Sequence, residues 1–303
     1  MKTFKSAIQS GRLALTAELT IKREYTADDV LREARRLSEQ VDAVQVTDNP
    51  YGWAQISAVA AASILLHNGI DAIPILTCRD RNRIALKSDL LGLRALGVSS
   101  ILLTRGHQVP QDHEIQTMAV FDTTGRELMA MAEEIRLDTD FGPKREFFIG
   151  TGARAFRPKR SWQAESLKSR AAAGAQFMQT QLCFNMDILR RYMHMLVELK
   201  LTWDYSVMVS LAVLPSAETA RWIKQNMADS LVPKALIERL EGAADPKHEG
   251  IQICAELMQE IAKIPGVSGI NLMTVGDSDS IVEAIEASGL AGKKLQEDTD
   301  SAS

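Results

Sequence analysis

The sequence predicts an α/β protein of the (β/α)8 TIM-barrel class, and three observations carry that prediction. Short runs of strand character alternate with segments of helical period along the whole chain. The alternation gives eight strand–helix units in series, which implies a parallel sheet, because parallel neighbours need long crossovers. The chain has 303 residues, and a closed eight-unit barrel takes ~250. An open doubly wound sheet is the alternative. If it held a dinucleotide it would carry a glycine-rich turn after its first strand, whereas Thr20-Ile21-Lys22-Arg23-Glu24 has no glycine. No linker divides the chain. Residues 1–291 therefore read as one barrel, and the charged, Ser-ending stretch 292–303 as a disordered C-terminal tail.

The elements follow in order. The first strand is Leu13–Leu19, and Thr26 stands as N-cap of the next helix, with Asp28 and Asp29 in its first turn. Ala43–Thr47 is the second strand, followed by an Ala-rich helix over Gln55–His67. Ala72–Thr77 and a helix over Arg81–Leu96 make the third unit, and Ile101–Thr104 and Thr124–Ile135 the fourth. Phe147–Gly150 with Ser161–Ala173, and Phe177–Gln181 with Met186–Leu199, make the fifth and sixth. Val207–Leu211 precedes helices over Ala217–Met227, Pro233–Leu240 and Gly250–Ile264; Val267–Leu272 and Asp279–Ser288 close the series.

Composition narrows the function classes. Lys and Arg total 35 against 39 Asp and Glu, a net charge of −4, which gives no general pull toward nucleic acid or an anionic membrane. The 46% apolar and 24% charged fractions are those of a globular protein. Cys78, Cys183 and Cys254 are odd in number and far apart; no disulfide framework or zinc cluster is expected, and a reducing cytoplasm suits them. No signal peptide or run of ~20 apolar residues is visible, and no metal site is expected.

A barrel places its chemistry at the C-terminal ends of its strands. Those ends read Glu18; Thr47-Asp48-Asn49-Pro50; Thr77-Cys78-Arg79-Asp80; Thr104-Arg105-Gly106-His107; Gly150-Thr151-Gly152; Gln179-Thr180-Gln181; and Leu214-Pro215-Ser216. Glu18 is the least expected, a carboxylate in a largely apolar strand. Facing the rim, its pKa would rise and suit it to act as an acid; exposed or salt-bridged, it would be structural. Asp48-Asn49-Pro50 suits ligand contact or an Asx-turn before a helix. Arg105-Gly106 suits close backbone approach beside a fixed cation, or an ordinary turn. Gln181 can donate and accept toward a ligand. Arg81 and Arg83 read as surface ion pairs at a helix start, and Arg79 as a rim cation.

Three stretches resemble the methylenetetrahydrofolate reductases, especially their single-domain bacterial branch. The most specific is Thr77-Cys78-Arg79-Asp80-Arg81-Asn82, running on through Ala85–Gly92 to Ala95-Leu96-Gly97. Ala173-Gly174-Ala175 leading to Gln179-Thr180-Gln181 and Phe184 is the second, and Val213–Trp222 a weaker third. The resemblance implies a barrel that binds FAD at its rim. It implies a flavin-dependent oxidoreductase interconverting 5,10-methylenetetrahydrofolate and 5-methyltetrahydrofolate with NADH or NADPH. Glu18 matches the family's general acid, which helps open the folate imidazolidine ring, and Gln181 a glutamine that contacts folate or nicotinamide. Thr47, Thr77, Arg105, Gly106, His107 and Arg170 fall at cofactor-binding positions, and Phe184 and Thr219 at substrate-binding ones.

The chain also departs from the family pattern. His107 stands where an aspartate usually follows the strand-four glycine, Ile75 where some members have histidine, and Thr219 or a neighbour where some have an aromatic residue. Thr274-Val275-Gly276-Asp277 stands where some have arginine. A flavin-free folate-binding or methyl-transfer relative is therefore the second reading, and a subunit of a larger one-carbon complex the third. The partners expected are a folate substrate and either a second copy or another subunit, for which the apolar Ala58–Leu66 helix offers a surface.

Overall fold

The computed structural model describes residues 3–109, 117–138, 147–273 and 277–291. Eight parallel strands, paired in sequence order, close into one barrel. In chain order the elements are α1 (Phe4–Gln9), β1 (Ala14–Leu19), α2 (Ala27–Ser38), β2 (Ala43–Val46), α3 (Ala58–His67), β3 (Ala72–Thr77), α4 (Arg83–Leu96), β4 (Ser100–Thr104), α5 (Gly125–Leu137) and β5 (Phe148–Ala153). They continue with α6 (Glu165–Ala171), β6 (Phe177–Leu182), α7 (Met186–Glu198), α8 (Leu201–Asp204), β7 (Ser206–Ala212), α9 (Ala217–Asn226), α10 (Lys234–Glu241), α11 (Pro246–Ile261), β8 (Val267–Met273) and α12 (Ser278–Ser288). All eight expected strands are present, so the closed barrel holds over the open sheet. The short helices α1 and α8 were not expected. The stretch 292–303, expected as a tail, and Thr274-Val275-Gly276 lie outside the described residues.

Alternation along each strand decides what each face does. On β1, Leu15, Ala17 and Leu19 pack outward into the main core beneath the helices, while Ala14 belongs to a separate inner cluster. Thr16 and Glu18 share the inward face with Ala14. The inner cluster joins Ala14, Ala43, Ile73, Leu102, Phe148, Phe177 and Met208 to Phe4 and Ala7 of α1. Gly150 is required there: a Cβ would lie 2.1 Å from the Phe177 ring. Above this apolar layer lies a polar one. Gln45 and Gln179 exchange amide hydrogen bonds across the barrel, and Thr16 donates to Asn271 Oδ1 at 2.8 Å.

The bottom of the barrel is plugged by α1, whose Thr3 and Ser6 form a reciprocal capping box. The Phe4 ring lies 5.1 Å from Phe177 and 5.8 Å from Phe148. Its backbone N–H donates to Asp71 at 2.8 Å, and Ser99 Oγ donates to the other carboxylate oxygen at 3.2 Å. Burial pushes the Asp71 carboxyl up to about 6. Around the helices, Thr26 caps α2 as expected and shares a capping box with Asp29. The apolar α3 buries Ala58, Ala61, Ala62 and Leu65 against the barrel, and Val59, Ile64 and Leu66 also pack on the core. Among the described residues no helix is long and apolar enough to cross a membrane. No cluster of three metal-ligating side chains occurs among them either.

Candidate functional site at the barrel mouth

Glu18 ends the inward face of β1, one layer above the Thr16–Asn271 pair. Its side chain is partly buried at the mouth, and loss of water around it pushes its pKa up to about 7. The group is therefore poised between acid and carboxylate near neutral pH. Gln181 ends the inward face of β6 and is also partly buried. The β6–β7 register shifts between Gln179 and Leu182. There Thr180 Oγ1 accepts the Ser210 N–H at 3.0 Å, replacing a ladder bond with a side-chain one. Such a bulge bends a strand end and re-aims its side chain.

The loops after β2 and β3 form one ionic knot. Asp48 accepts the Thr77 backbone N–H at 2.8 Å and the Thr77 hydroxyl at 2.9 Å, and it pairs with Arg81. Burial raises the Asp48 pKa, against the opposing pull of Arg81 and Thr77. Arg81 also reaches Asp89 at 2.9 Å, so it is a network member rather than a surface pair. Arg83, by contrast, is an exposed residue bonded to Asp122 and Glu127. The expected rim cation Arg79 is a correction: only 3% exposed, it donates to the Asn49 carbonyl at 2.8 Å and grips both oxygens of Asp80. Its charge is spent holding the loop.

That grip supports unusual backbone. Asn49 (φ 45°) and Tyr51 (φ 56°) are left-handed without being glycine, a conformation that costs roughly 1–2 kcal/mol per residue. Asp48-Asn49-Pro50 accordingly does not start the helix directly. The chain takes a single 3₁₀ turn over Pro50–Gly52, and α3 begins at Ala58 under a Ser57 cap. Gln55 Nε2 ties back to the Thr47 carbonyl at 2.8 Å and its hydroxyl at 3.1 Å. Of the expected cofactor residues, then, Thr47 and Thr77 already serve as acceptor and donor within the rim.

The mouth beside β4 and β5 is barer. Gly106 (φ 81°) presses on β3, where a Cβ would lie 3.1 Å from Thr77 Cβ and 3.2 Å from Arg79 Cβ. Gly152 leaves open space, the nearest atom to an added Cβ being Thr104 Cγ2 at 3.6 Å. Arg105 is exposed with its guanidinium 4.3 Å above the Phe121 ring, and His107 is exposed beside it. Arg170 donates to the Gly152 carbonyl at 2.6 Å and lies 3.4 Å from Thr151 Oγ1, so its cation sits at the end of β5.

The two expected substrate residues divide. Phe184 is 2% exposed within the core, its N–H bonded to the Ser230 carbonyl at 3.1 Å, so it packs beneath the rim. Thr219 lies in the first turn of α9, its N–H capped by Ser216 Oγ at 3.2 Å. Tyr51 was not foreseen. Nothing in a Pro-Tyr-Gly stretch announces that its ring crosses the mouth, yet its hydroxyl donates to Met227 Sδ at 3.8 Å, beyond β7.

The sequence model of the family described as methylenetetrahydrofolate reductase matches residues 3–289. A Caenorhabditis elegans protein named probable methylenetetrahydrofolate reductase (NADPH) is 26% identical over 245 residues, which is 77% of this chain and 34% of that protein. The chain thus spans about a third of the length of that curated relative. Among solved structures, a tryptophan synthase from M. tuberculosis shares the fold with a TM-score of 0.50, at 13% identity over 96% of each chain.

Proposed function

The chain belongs to the methylenetetrahydrofolate reductase family, and from that premise we propose that it is an oxidoreductase interconverting 5,10-methylenetetrahydrofolate and 5-methyltetrahydrofolate with NADH or NADPH. The observation that carries this reading is Glu18: a carboxyl at the barrel mouth whose pKa is pushed up to about 7 by burial. A neutral carboxylic acid can protonate a nitrogen of the folate imidazolidine ring and so favour its opening to the iminium that accepts hydride. In the reverse direction the carboxylate takes that proton back. Gln181, three strand positions round the barrel from Glu18, offers an amide that both donates and accepts toward folate or nicotinamide.

The mouth also suits FAD. Gly152 keeps the end of β5 free of a side chain, so a flat ring system can approach backbone there, while Gly106 lets the β4 loop close on β3 beside it. Arg105, exposed at the rim, and Arg170, at the end of β5, would meet its phosphates. Thr47, Thr77 and His107 complete the surround. When bound, FAD supplies the hydride relay between nicotinamide and folate. His107, where relatives usually carry aspartate, leaves this surround without that negative charge.

Glu18→Gln tests the reading. The variant is expected to lose folate reduction by ~10²–10⁴-fold, while anaerobic NADH or NADPH still bleaches the visible absorption of FAD-reconstituted protein at the wild-type rate. Equal loss in both half-reactions would contradict the acid role. The wild-type folate step is expected to slow as pH rises through about 7, where the carboxyl ionises, and the residual rate of the variant to stay flat. A protein that remains colourless with FAD yet binds folate would instead support the flavin-free relative.

A further inference from the structure

Tyr51 has no role in the site as described above: it is an exposed aromatic in left-handed backbone, reaching across the barrel mouth. The residue is 57% exposed. The residue leaves the barrel after β2, whereas Met227, which its hydroxyl reaches, lies beyond β7. In the closed strand order β7-β8-β1-β2, a side chain bridging those two points passes over the ends of β8 and β1. Glu18 stands at the end of β1, and its charge bears on the Tyr51 hydroxyl. The loop is built to hold this pose: Asn49 accepts from Arg79, donates to Asp80, and Gln55 N–H reaches its side-chain oxygen at 3.4 Å.

An exposed ring held across the mouth on left-handed backbone needs a reason that packing does not supply. The contact it makes at rest is weak, since a thioether sulfur is a poor acceptor, and so is readily exchanged. We propose that Tyr51 is the positioning residue for folate: its ring stacks on a flat conjugated ring of the substrate and holds the folate against Glu18. The hydroxyl leaves Met227 for a polar edge of the ligand, or for water, without loss of the stack. This supplies from the β2 loop an aromatic surface that Thr219 and Ser216, at the start of α9, do not offer. The inference rests on the folate reading above and names the residue that orients that substrate.

The test is calorimetric titration of the FAD-reconstituted protein with 5-methyltetrahydrofolate, comparing wild type, Tyr51→Phe, Tyr51→Leu and Met227→Leu. Stacking of a conjugated ring on an aromatic side chain predicts a loss of roughly ten-fold or more for Tyr51→Leu. Tyr51→Phe keeps the ring and should stay within about three-fold of wild type, as should Met227→Leu. Thermal melting of each variant checks that the barrel is intact. Undiminished affinity in Tyr51→Leu overturns the proposal, and a Tyr51→Phe loss as large as that of Tyr51→Leu overturns the stacking role. Wild-type protein with no affinity for the folate removes the reading on which it rests, whatever the variants do.

Discussion

The two ends of this barrel solve opposite problems with similar residues. At the bottom, Asp71 is a buried carboxyl held by the Phe4 N–H and the Ser99 hydroxyl, and Asp42 is held by the Leu15 N–H and Arg12. Three phenylalanine rings pack with centroids 5.1–5.8 Å apart. At the mouth, Glu18 is pushed up to about 7 by burial, Asn49, Tyr51 and Phe121 are left-handed without being glycine, and the Tyr51 side chain is left largely in solvent. One layer below Glu18, Ser210 Oγ and Asn271 Nδ2 are buried without a hydrogen-bond partner among the described residues. Close aromatic packing is concentrated at the bottom, while the rim joins a dense ionic knot to left-handed backbone.

Substitutions at the two ends should therefore separate stability from ligand binding. The largest effect is expected from Phe4→Ala, which empties the plug: a loss of roughly 3–5 kcal/mol in urea unfolding, with unchanged affinity for folate in the protein that remains folded. A parallel fall in affinity would break the contrast between the ends. Glu18→Gln should act in the other direction. The folded-state pKa is raised from 4.5 to about 7, so the wild type is penalised least below pH 4.5. It loses stability as pH rises through that window and carries the whole penalty above it. The variant should gain about 2 kcal/mol at pH 8, after allowance for its partial exposure, and almost nothing at pH 4.5. Unfolding curves at the two pH values check the sign. The smallest effect is expected for Tyr51→Gly, which suits left-handed backbone: about 1 kcal/mol more stable by the same measurement, yet poorer in folate binding.

How much of this was legible in the sequence depends on the range of the interactions. Strand order was legible because every strand is a local apolar run and the connections are long enough for helices. Glu18 and Gln181 stood out because a charge or an amide is unexpected where a strand otherwise reads apolar. The helix α1 was missed because six residues carry no period to count, and its packing partners are distant in sequence. Arg79 looked like a free cation because its role depends on a carbonyl thirty residues away, that of Asn49. The Asp48–Thr77 bonds join residues twenty-nine apart, and Asp48 alone suggests only a local turn. Tyr51 was invisible for a different reason: its positive φ is imposed by the surrounding knot and runs against the preference of its own residue type.

The plug has a consequence for the order of assembly. α1 precedes every strand during synthesis, but Phe4 meets Phe148 of β5 and Phe177 of β6. The helix is too short to persist alone in water. It must wait, unanchored, until more than half of the sheet has formed, and closure of β1 on β8 waits longer still. Contacts of such long sequence separation slow folding and lengthen the interval in which apolar strands are uncovered. The element made first is thus consolidated late, and a nascent chain lacking β5 and β6 has no floor for its barrel.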